Sequence, residues 1–185
     1  VIDALEAARE IKRVILCGPD KSAVDQEQEL RFRVDSGKVK WLESQTTPSS
    51  SAHHALQSLS DSTLVFVTTA DHALLTAEMV DYFCSTARKC NRDVVVGLAL
   101  HELVRAKYPE TKRTAIQLAD GSYCSCNLFG FLTPEARSAA YFWRKVESQR
   151  KKTLRVIAGF GWLNLLLYLL KRPSLEEGLD RISQR

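Results

Sequence analysis

The stretch of residues 64–78, LVFVTTADHALLTAE, limits the fold of this chain more than any other part of the sequence. It opens with an apolar run, residues 64–69, which predicts a buried strand, and Thr76 near its end predicts the cap of a helix. Asp71 lies between them, where the predicted strand gives way to a loop. Ligands of open α/β sheets bind outside the carboxyl ends of the strands, so Asp71 is a candidate metal or phosphate-side ligand. The pattern alone equally allows that Asp71 only caps a turn.

The rest of the chain repeats this alternation of short apolar runs and helical periodicity. Helices are predicted over residues 1–10, about 24–30, 52–59 and 77–89, and strands over residues 13–17, 38–42, 64–69 and 93–100. Alternation of this kind predicts an α/β fold, a three-layer sandwich whose mostly parallel sheet is covered by helices on both faces. The run VVVGLAL within residues 93–100 is apolar on both faces, which is typical of a covered strand in the middle of such a sheet.

The pattern changes after the fourth predicted strand. Residues 114–118 and 123–132 flank Asp120-Gly121, which predicts a late β-hairpin. A hairpin in this position forms either the wall of a substrate pocket or an edge ribbon with a structural role. Thr133, followed by Pro134, predicts the start of a long helix that runs to about Lys151. Residues 153–170 are predicted to be helical and apolar, and Ser174 to cap a last helix.

Composition and charge exclude several classes of protein. With 45% hydrophobic and 26% charged residues, the chain has the composition of an ordinary soluble globular domain. A net charge of +4 requires no nucleic acid partner, and none is expected, although the charge fits a protein that handles phosphates. The apolar run 162–170 is too short to span a bilayer and predicts a buried or interface helix, through which a homodimer could form.

The cysteines and the ends of the chain carry two further expectations. The five cysteines form no CxxC pair and no signal peptide is present, which predicts reduced thiols and a cytoplasmic protein. No capping residue precedes the helical pattern of residues 1–10, whose acidic residues Asp3, Glu6 and Glu10 are expected to form a solvated face. We therefore expect a single domain over residues 1–185 that is truncated at its N-terminus and possibly at its C-terminus.

Three loops should converge at the carboxyl edge of the predicted sheet. They carry Gly18-Pro19-Asp20, residues 48–52 (PSSSA) and Ala70-Asp71-His72. Ser49, Ser50 and Ser51 stand at the start of a helix, where free N–H groups and the helix dipole favour anionic ligands. The alternative is an N-cap with two solvated neighbours. The sequence contains no GxSxG, HExxH or P-loop motif, which disfavours nucleophilic and zinc hydrolases.

Three segments together resemble the MobA-like nucleotidyltransferases, which have the GT-A type, Rossmann-like fold of nucleotide-diphospho-sugar transferases. Residues 68–83, TTADHALLTAEMVDYF, resemble the strand, aspartate and "PLLTPEMV" segment of that family, with Ala73 and Ala77 where proline is common. The loop TPSSSAHHAL resembles its second nucleotide loop, and SYCSCNLFGFLTPEA resembles its strand that carries an asparagine. The resemblance covers roughly residues 1–140. The family's Gly-rich triphosphate loop would precede Val1, and its second metal ligand has no match in the chain.

The resemblance implies a Mg²⁺-dependent nucleotidyltransferase. Such an enzyme transfers a nucleoside monophosphate from an NTP to a phosphorylated or hydroxylated small molecule and releases pyrophosphate. Asp71 would be the catalytic residue and hold Mg²⁺, while the nucleotide would contact Ser49, Ser50, Ser51 and Ala70. Asn127 would contact the acceptor, and we further infer that Lys112 and Arg113 meet an acceptor phosphate.

Two other functions remain open at this point. One is a non-catalytic binding or interaction domain that keeps the same fold and docks a partner through its C-terminal helices. The other is a nucleotide-sugar glycosyltransferase, a class that usually shows a DxD pair, whereas Asp71-His72-Ala73 lacks the second aspartate.

Overall fold

A computed structural model of the chain describes residues 1–18, 20–59, 64–140, 143 and 173–183. The helices are α1 (Ile2–Ala7), α2 (Lys21–Gln26), α3 (Gln28–Asp35), α4 (Pro48–Gln57), α5 (Ala77–Lys89), α6 (His101–Lys107) and α7 (Leu175–Ser183). The strands are β1 (Val14–Gly18), β2 (Val39–Glu43), β3 (Val65–Thr68), β4 (Val94–Leu100), β5 (Ile116–Leu118) and β6 (Gly121–Phe131). Among the described residues, no helix is long and apolar enough to cross a membrane.

Helix caps account for the agreement between the predicted and observed helices. Thr76 accepts a hydrogen bond from the Met79 N–H at 3.3 Å and begins α5. Ser174 and Glu177 form a reciprocal capping box at α7, with distances of 3.2 and 3.1 Å. Thr133 caps the helical residues 137–140 through the Ala136 N–H at 3.2 Å. The predicted continuation of this helix beyond residue 143, the apolar residues 153–170 and the proposed dimer surface lie outside the described residues.

Three features of the helices differ from the sequence prediction. The single helix predicted at about residues 24–30 is two helices, α2 and α3, which meet at Glu27. Helix α4 begins at Pro48 rather than near Ala52, because Thr47 caps it and accepts the Ser50 N–H at 3.2 Å. The three serines therefore belong to the first turn of the helix and not to a loop before it. Helix α6 was not predicted at all. It contains no buried residue, so the sequence lacks the apolar stripe that reveals an amphipathic helix.

The strands form two sheets in the described part of the chain. One is the parallel pair β1–β2, in register from Val14 opposite Val39 to Gly18 opposite Glu43. The other has the order β3-β6-β4, with β5 paired to β6. Strand β6 of the predicted hairpin runs antiparallel to β3, so the parallel part of the sheet is smaller than predicted. The hairpin is therefore no edge ribbon, because its long strand lies between β3 and β4.

The three layers are confirmed around β3. Phe66 packs on one side of the strand against a buried cluster from α1, α5 and the segments beside them, in which its ring lies 5.4 Å from the Phe83 ring. Val65 and Val67 pack on the other side against Leu56 of α4 and the helical residues near Ala140. The two-residue period of the strand thus divides its side chains between two helical layers, as expected for an α/β fold.

Contacts divide the chain into two compact units. The first comprises Val1–Val95 and Asn127–Arg144, and the second comprises Val96–Cys126 and Lys145–Arg185. In the second unit, the carboxylate of Asp120 in the hairpin turn accepts the N–H of Leu175 at 3.0 and 3.1 Å, which ties α7 to the hairpin.

Strand β4 differs from the sequence prediction of a covered middle strand. Its residues Val96 and Leu98 are 42% and 36% exposed, and in the described part of the chain β4 ends the strand order β3-β6-β4, so this prediction is wrong.

The acidic face of α1 is paired rather than simply solvated. Arg33 of α3 donates to Asp3 at 2.6 Å and to Glu6 at 3.1 Å, and it also pairs with Glu29. Glu10, just after α1, pairs with Arg88 of α5. These partners are distant in sequence, which is why helical periodicity alone predicted a solvated face.

Asp81 of α5 should make the stability of the protein depend on pH. Its carboxylate accepts the Glu10 N–H at 3.0 Å and pairs with Arg9 at 3.3 Å, and these contacts lower the pKa of Asp81 below its usual value. The ionised carboxylate therefore stabilises the fold above about pH 4, and this contribution is lost as the pH falls through the lowered pKa. We expect Asp81→Asn to lose less stability than wild type between about pH 5 and about pH 3 in urea denaturation.

The control for this prediction is Asp35→Asn. Asp35 is exposed at the end of α3, and in the described part of the chain its carboxylate accepts no hydrogen bond. This variant should follow the pH dependence of wild type. Identical pH dependence in Asp81→Asn and wild type would contradict the assignment.

Candidate active site

Asp71 lies in a turn that the backbone closes. Strand β3 ends at Thr68, and the His72 N–H then donates to the Thr69 carbonyl at 3.3 Å. The Leu75 N–H donates to the His72 carbonyl at 3.0 Å and leads the chain towards the cap of α5. Asp71 itself is exposed, and no described residue donates a hydrogen bond to its carboxylate. The turn therefore forms without the Asp71 side chain, which disfavours the interpretation that this residue only caps a turn.

Two threonines hold the Asp71 turn. The Thr68 hydroxyl lies 3.4 Å from Nδ1 of His72, which is partly buried. The Thr69 hydroxyl accepts a hydrogen bond from the side-chain amide of Asn127 at 3.3 Å. Asn127 has a left-handed backbone, with φ of 54°, although it lies within β6. The family resemblance indicates Asn127 but neither threonine, because threonine at the end of a strand is too common to signal a site.

The serine segment, residues 49–51, forms its hydrogen bonds mainly with the residues just before it. Ser49 is fully buried with its hydroxyl 3.2 Å from the Thr47 hydroxyl, and Ser51 is 7% exposed. The Ser51 hydroxyl donates to the Thr47 carbonyl at 3.1 Å and accepts the Gln45 N–H at 2.8 Å. Ser50 is the partly exposed member of the three, and its hydroxyl accepts from Thr47 at 3.0 Å. Ser50 is thus the least buried of the three serines, while the buried Ser49 and Ser51 hold the first turn of α4 in place.

The carboxyl end of β1 contacts the segment that follows β2, which is the arrangement expected of neighbouring parallel strands. The Ser44 N–H donates to the Gly18 carbonyl at 3.0 Å, and the Cys17 thiol lies 3.5 Å from the Ser51 carbonyl oxygen. A Cβ atom added at Gly18 would lie 3.2 Å from the Trp41 indole nitrogen, so this close approach favours glycine. Burial raises the pKa of the Cys17 thiol, which makes a nucleophilic role for this residue unfavourable.

Lys112 and Arg113 belong to a different compact unit from the other predicted site residues. They are exposed in the coil before β5 and belong to the second unit, whereas Asp71, the serine segment, Ala70 and Asn127 belong to the first. Arg113 is close enough to Cys126 to oppose the rise in the thiol pKa that burial causes there.

The donor set at Asp71 fits a magnesium ion better than a zinc ion. Within the described ranges, no three His, Cys, Asp or Glu side chains come together as a metal cage. Structural and catalytic zinc sites need three or four such ligands. Mg²⁺ needs one or two carboxylates and completes its shell with water and phosphate oxygens, so a single open carboxylate such as Asp71 is a suitable ligand.

Comparison with known proteins identifies the family. The MobA-like NTP transferase domain matches residues 1–122, a range that includes the serine segment and the Asp71 turn. The chain belongs to the MobA-like NTP transferase family. Asn127 lies beyond the matched range. A comparison with curated proteins gives no match.

Two solved structures resemble this family member. A hypothetical transferase from Thermus thermophilus is 30% identical, with a TM-score of 0.65, and the similarity covers 82% of this chain and 63% of that one. The 4-diphosphocytidyl-2C-methyl-D-erythritol synthase from Anaerococcus prevotii is 14% identical, with a TM-score of 0.52. The similarity covers 78% of this chain and 63% of that one. The second likeness shows the fold alone. The chain thus spans about 63% of the length of each of these proteins.

Proposed function

We propose that the protein is a Mg²⁺-dependent nucleotidyltransferase that transfers a nucleoside monophosphate from an NTP to a phosphorylated or hydroxylated small molecule. Membership of the MobA-like NTP transferase family supports the reaction class. The observation that carries the proposal is the exposed Asp71 carboxylate, which lies three residues after the end of β3 and accepts no hydrogen bond in the described part of the chain. A carboxylate that the fold does not use is available to a metal–nucleotide complex.

In this reaction, an oxygen of the acceptor attacks the α-phosphorus of the NTP. The bond between the α-phosphorus and its bridging oxygen breaks, and pyrophosphate leaves with the electron pair. A hydroxyl acceptor releases its proton to solvent, whereas an ionised phosphate acceptor has none to lose. Bound Mg²⁺ would neutralise the charge that builds on the phosphates, and Asp71 would hold it there. The protein then contributes mainly position and charge.

The serine segment and Ala70 would bind the nucleotide. Ser50 offers the partly exposed hydroxyl, and the internal hydrogen bonds of Ser49 and Ser51 keep the first turn of α4 in place for it. Ala70 is exposed beside Asp71 and has no bulk that would obstruct the phosphates. As acceptor-binding residues we propose Asn127 of the first unit and, separately, Lys112 and Arg113 of the second unit, whose cationic side chains suit a phosphorylated acceptor.

The test is a binding screen of the full-length protein with ATP, CTP, GTP and UTP, each with and without Mg²⁺. We expect at least one NTP to bind more tightly when Mg²⁺ is present, and to yield pyrophosphate once a suitable acceptor is added. Absence of binding by all four NTPs, or binding that Mg²⁺ does not strengthen, would overturn the proposal. The second result would favour a non-catalytic binding domain of the same fold.

A further inference from the structure

The end of the β3–β6 pairing has an unusual geometry. The two strands pair from Val65 opposite Phe131 to Thr68 opposite Leu128. The next residues in this register are Thr69 and Asn127, but Asn127 turns into the left-handed region with φ of 54°. Asparagine tolerates this conformation better than most residues, yet it is uncommon inside a strand. The backbone ladder therefore stops one residue before the Asp71 turn.

A side-chain hydrogen bond continues the connection where the backbone ladder stops. The Asn127 amide donates to the Thr69 hydroxyl at 3.3 Å. Thr69 also uses its carbonyl oxygen to accept the His72 N–H at 3.3 Å, which closes the turn around Asp71. Thr69 thus joins β6 to the turn through two different atoms of one residue.

This link matters because the position of the Asp71 carboxylate depends on the backbone of its turn. Asp71 is exposed and its carboxylate accepts no hydrogen bond from the described residues, so its position follows the backbone of the turn. A conformation as uncommon as that of Asn127 persists only where surrounding contacts determine it, and such conformations concentrate at functional sites.

We propose that Thr69 is a positioning residue, which uses its hydrogen bond with Asn127 to hold the Asp71 carboxylate where the metal–nucleotide complex binds. This inference rests on the function proposed above. It predicts that the Thr69 hydroxyl controls how much Mg²⁺ is needed for nucleotide binding, although Thr69 need not touch either ligand. Small displacements at reacting groups have large effects, since about 1 Å can change a rate by about a hundredfold.

The test uses the NTP that the full-length protein prefers, with no acceptor present. It measures the Mg²⁺ midpoint, which is the Mg²⁺ concentration at which half of the Mg²⁺-dependent nucleotide binding is reached. Thr69→Val keeps the shape of the side chain but removes the hydroxyl, and we expect it to raise the midpoint about tenfold. Thr69→Ser keeps the hydroxyl and should stay within about twofold of wild type. The matched control is Thr86→Val, at an exposed position of α5 that is remote in sequence from the turn, which should leave the midpoint unchanged.

A double-substitution cycle separates the hydrogen bond from a general effect on folding. Asn127→Gly removes the amide but tolerates the left-handed backbone, so it should raise the midpoint about as much as Thr69→Val does. Because both changes break the same bond, the double variant should show about a tenfold shift in total instead of about a hundredfold one. If Thr69→Val fails to fold, as judged by its thermal unfolding midpoint, Asn127→Gly and Thr69→Ser still decide the question.

Two results would overturn the inference, and they differ in what they mean for the proposed function. If Thr69→Val and Asn127→Gly leave the midpoint at the wild-type value while Asp71→Asn abolishes the Mg²⁺ dependence, the positioning role is wrong and the proposed metal ligand stands. If Asp71→Asn also retains the Mg²⁺ dependence, the proposed metal ligand is wrong and the inference fails with it.

Discussion

The nucleotidyl transfer proposed for this protein should fall about a hundredfold or more when Asp71 is replaced by asparagine. A metal ion held by Asp71 would contribute several kcal/mol of transition-state stabilisation, and each step of about 1.4 kcal/mol is a factor of ten. The substitution keeps the size and shape of the side chain and removes only its charge. Since Asp71 is exposed and the backbone closes its turn, the fold should be unaffected. The loss would therefore report on chemistry rather than on stability.

The measurement is pyrophosphate release at saturating NTP and acceptor, with Mg²⁺ varied and with EDTA as the metal-free reference. Asp35→Asn is the matched control, because it makes the same chemical change at another exposed aspartate of the first unit. It should retain wild-type activity. Wild-type rates in Asp71→Asn at every Mg²⁺ concentration would show that the metal is held elsewhere.

The largest loss of stability is expected at Phe83. Its ring is 8% exposed and lies in the buried cluster between α5 and β3, 5.4 Å from the Phe66 ring in an edge-to-face arrangement. Phe83→Ala should cost about 3–5 kcal/mol of unfolding free energy, since it removes a large apolar side chain and leaves a cavity. That is a large part of the roughly 5–15 kcal/mol by which proteins of this kind are stable.

Urea denaturation of Phe83→Ala measures this loss, and its neighbour Tyr82 provides the control. Tyr82 lies on the same helix but is 73% exposed, so Tyr82→Ala should change the unfolding free energy by no more than about 0.5 kcal/mol. Equal destabilisation by the two substitutions would contradict the layer arrangement described for β3. A loss of unfolding free energy in Phe83→Ala but not in Tyr82→Ala would support that arrangement.

Much of the fold around the candidate site could be predicted from local sequence because its parts depend on short-range interactions. Thr76 caps α5 through a residue three positions away, and Ser174 and Glu177 cap α7 in the same manner. The apolar run that became β3 and the Asp120-Gly121 turn are equally local signals. Asp71 could be selected because it lies in the loop just after that strand, and the family match includes this position.

Other features could not be predicted, because they depend on residues that are far apart in the chain. Arg33 pairs with Asp3 and Glu6 across about thirty positions, which no helical pattern reveals. The short helix α6 buries no side chain and leaves no periodic signal. The start of α4 was misplaced because the cap residue Thr47 adjoins a run of serines, any of which could serve as a cap.

By itself, the sequence determined most of the alternation of helices and strands, the caps of α5 and α7 and the acidic residue shortly after β3, because each depends on neighbours within a few positions. Only the tertiary structure decided that β6 lies between β3 and β4, since strand pairing joins residues about sixty positions apart. The same pairing brings Asn127 to Thr69 and so fastens the Asp71 turn. Hydrogen bonds of this kind depend on distance in space, which sequence separation does not reveal.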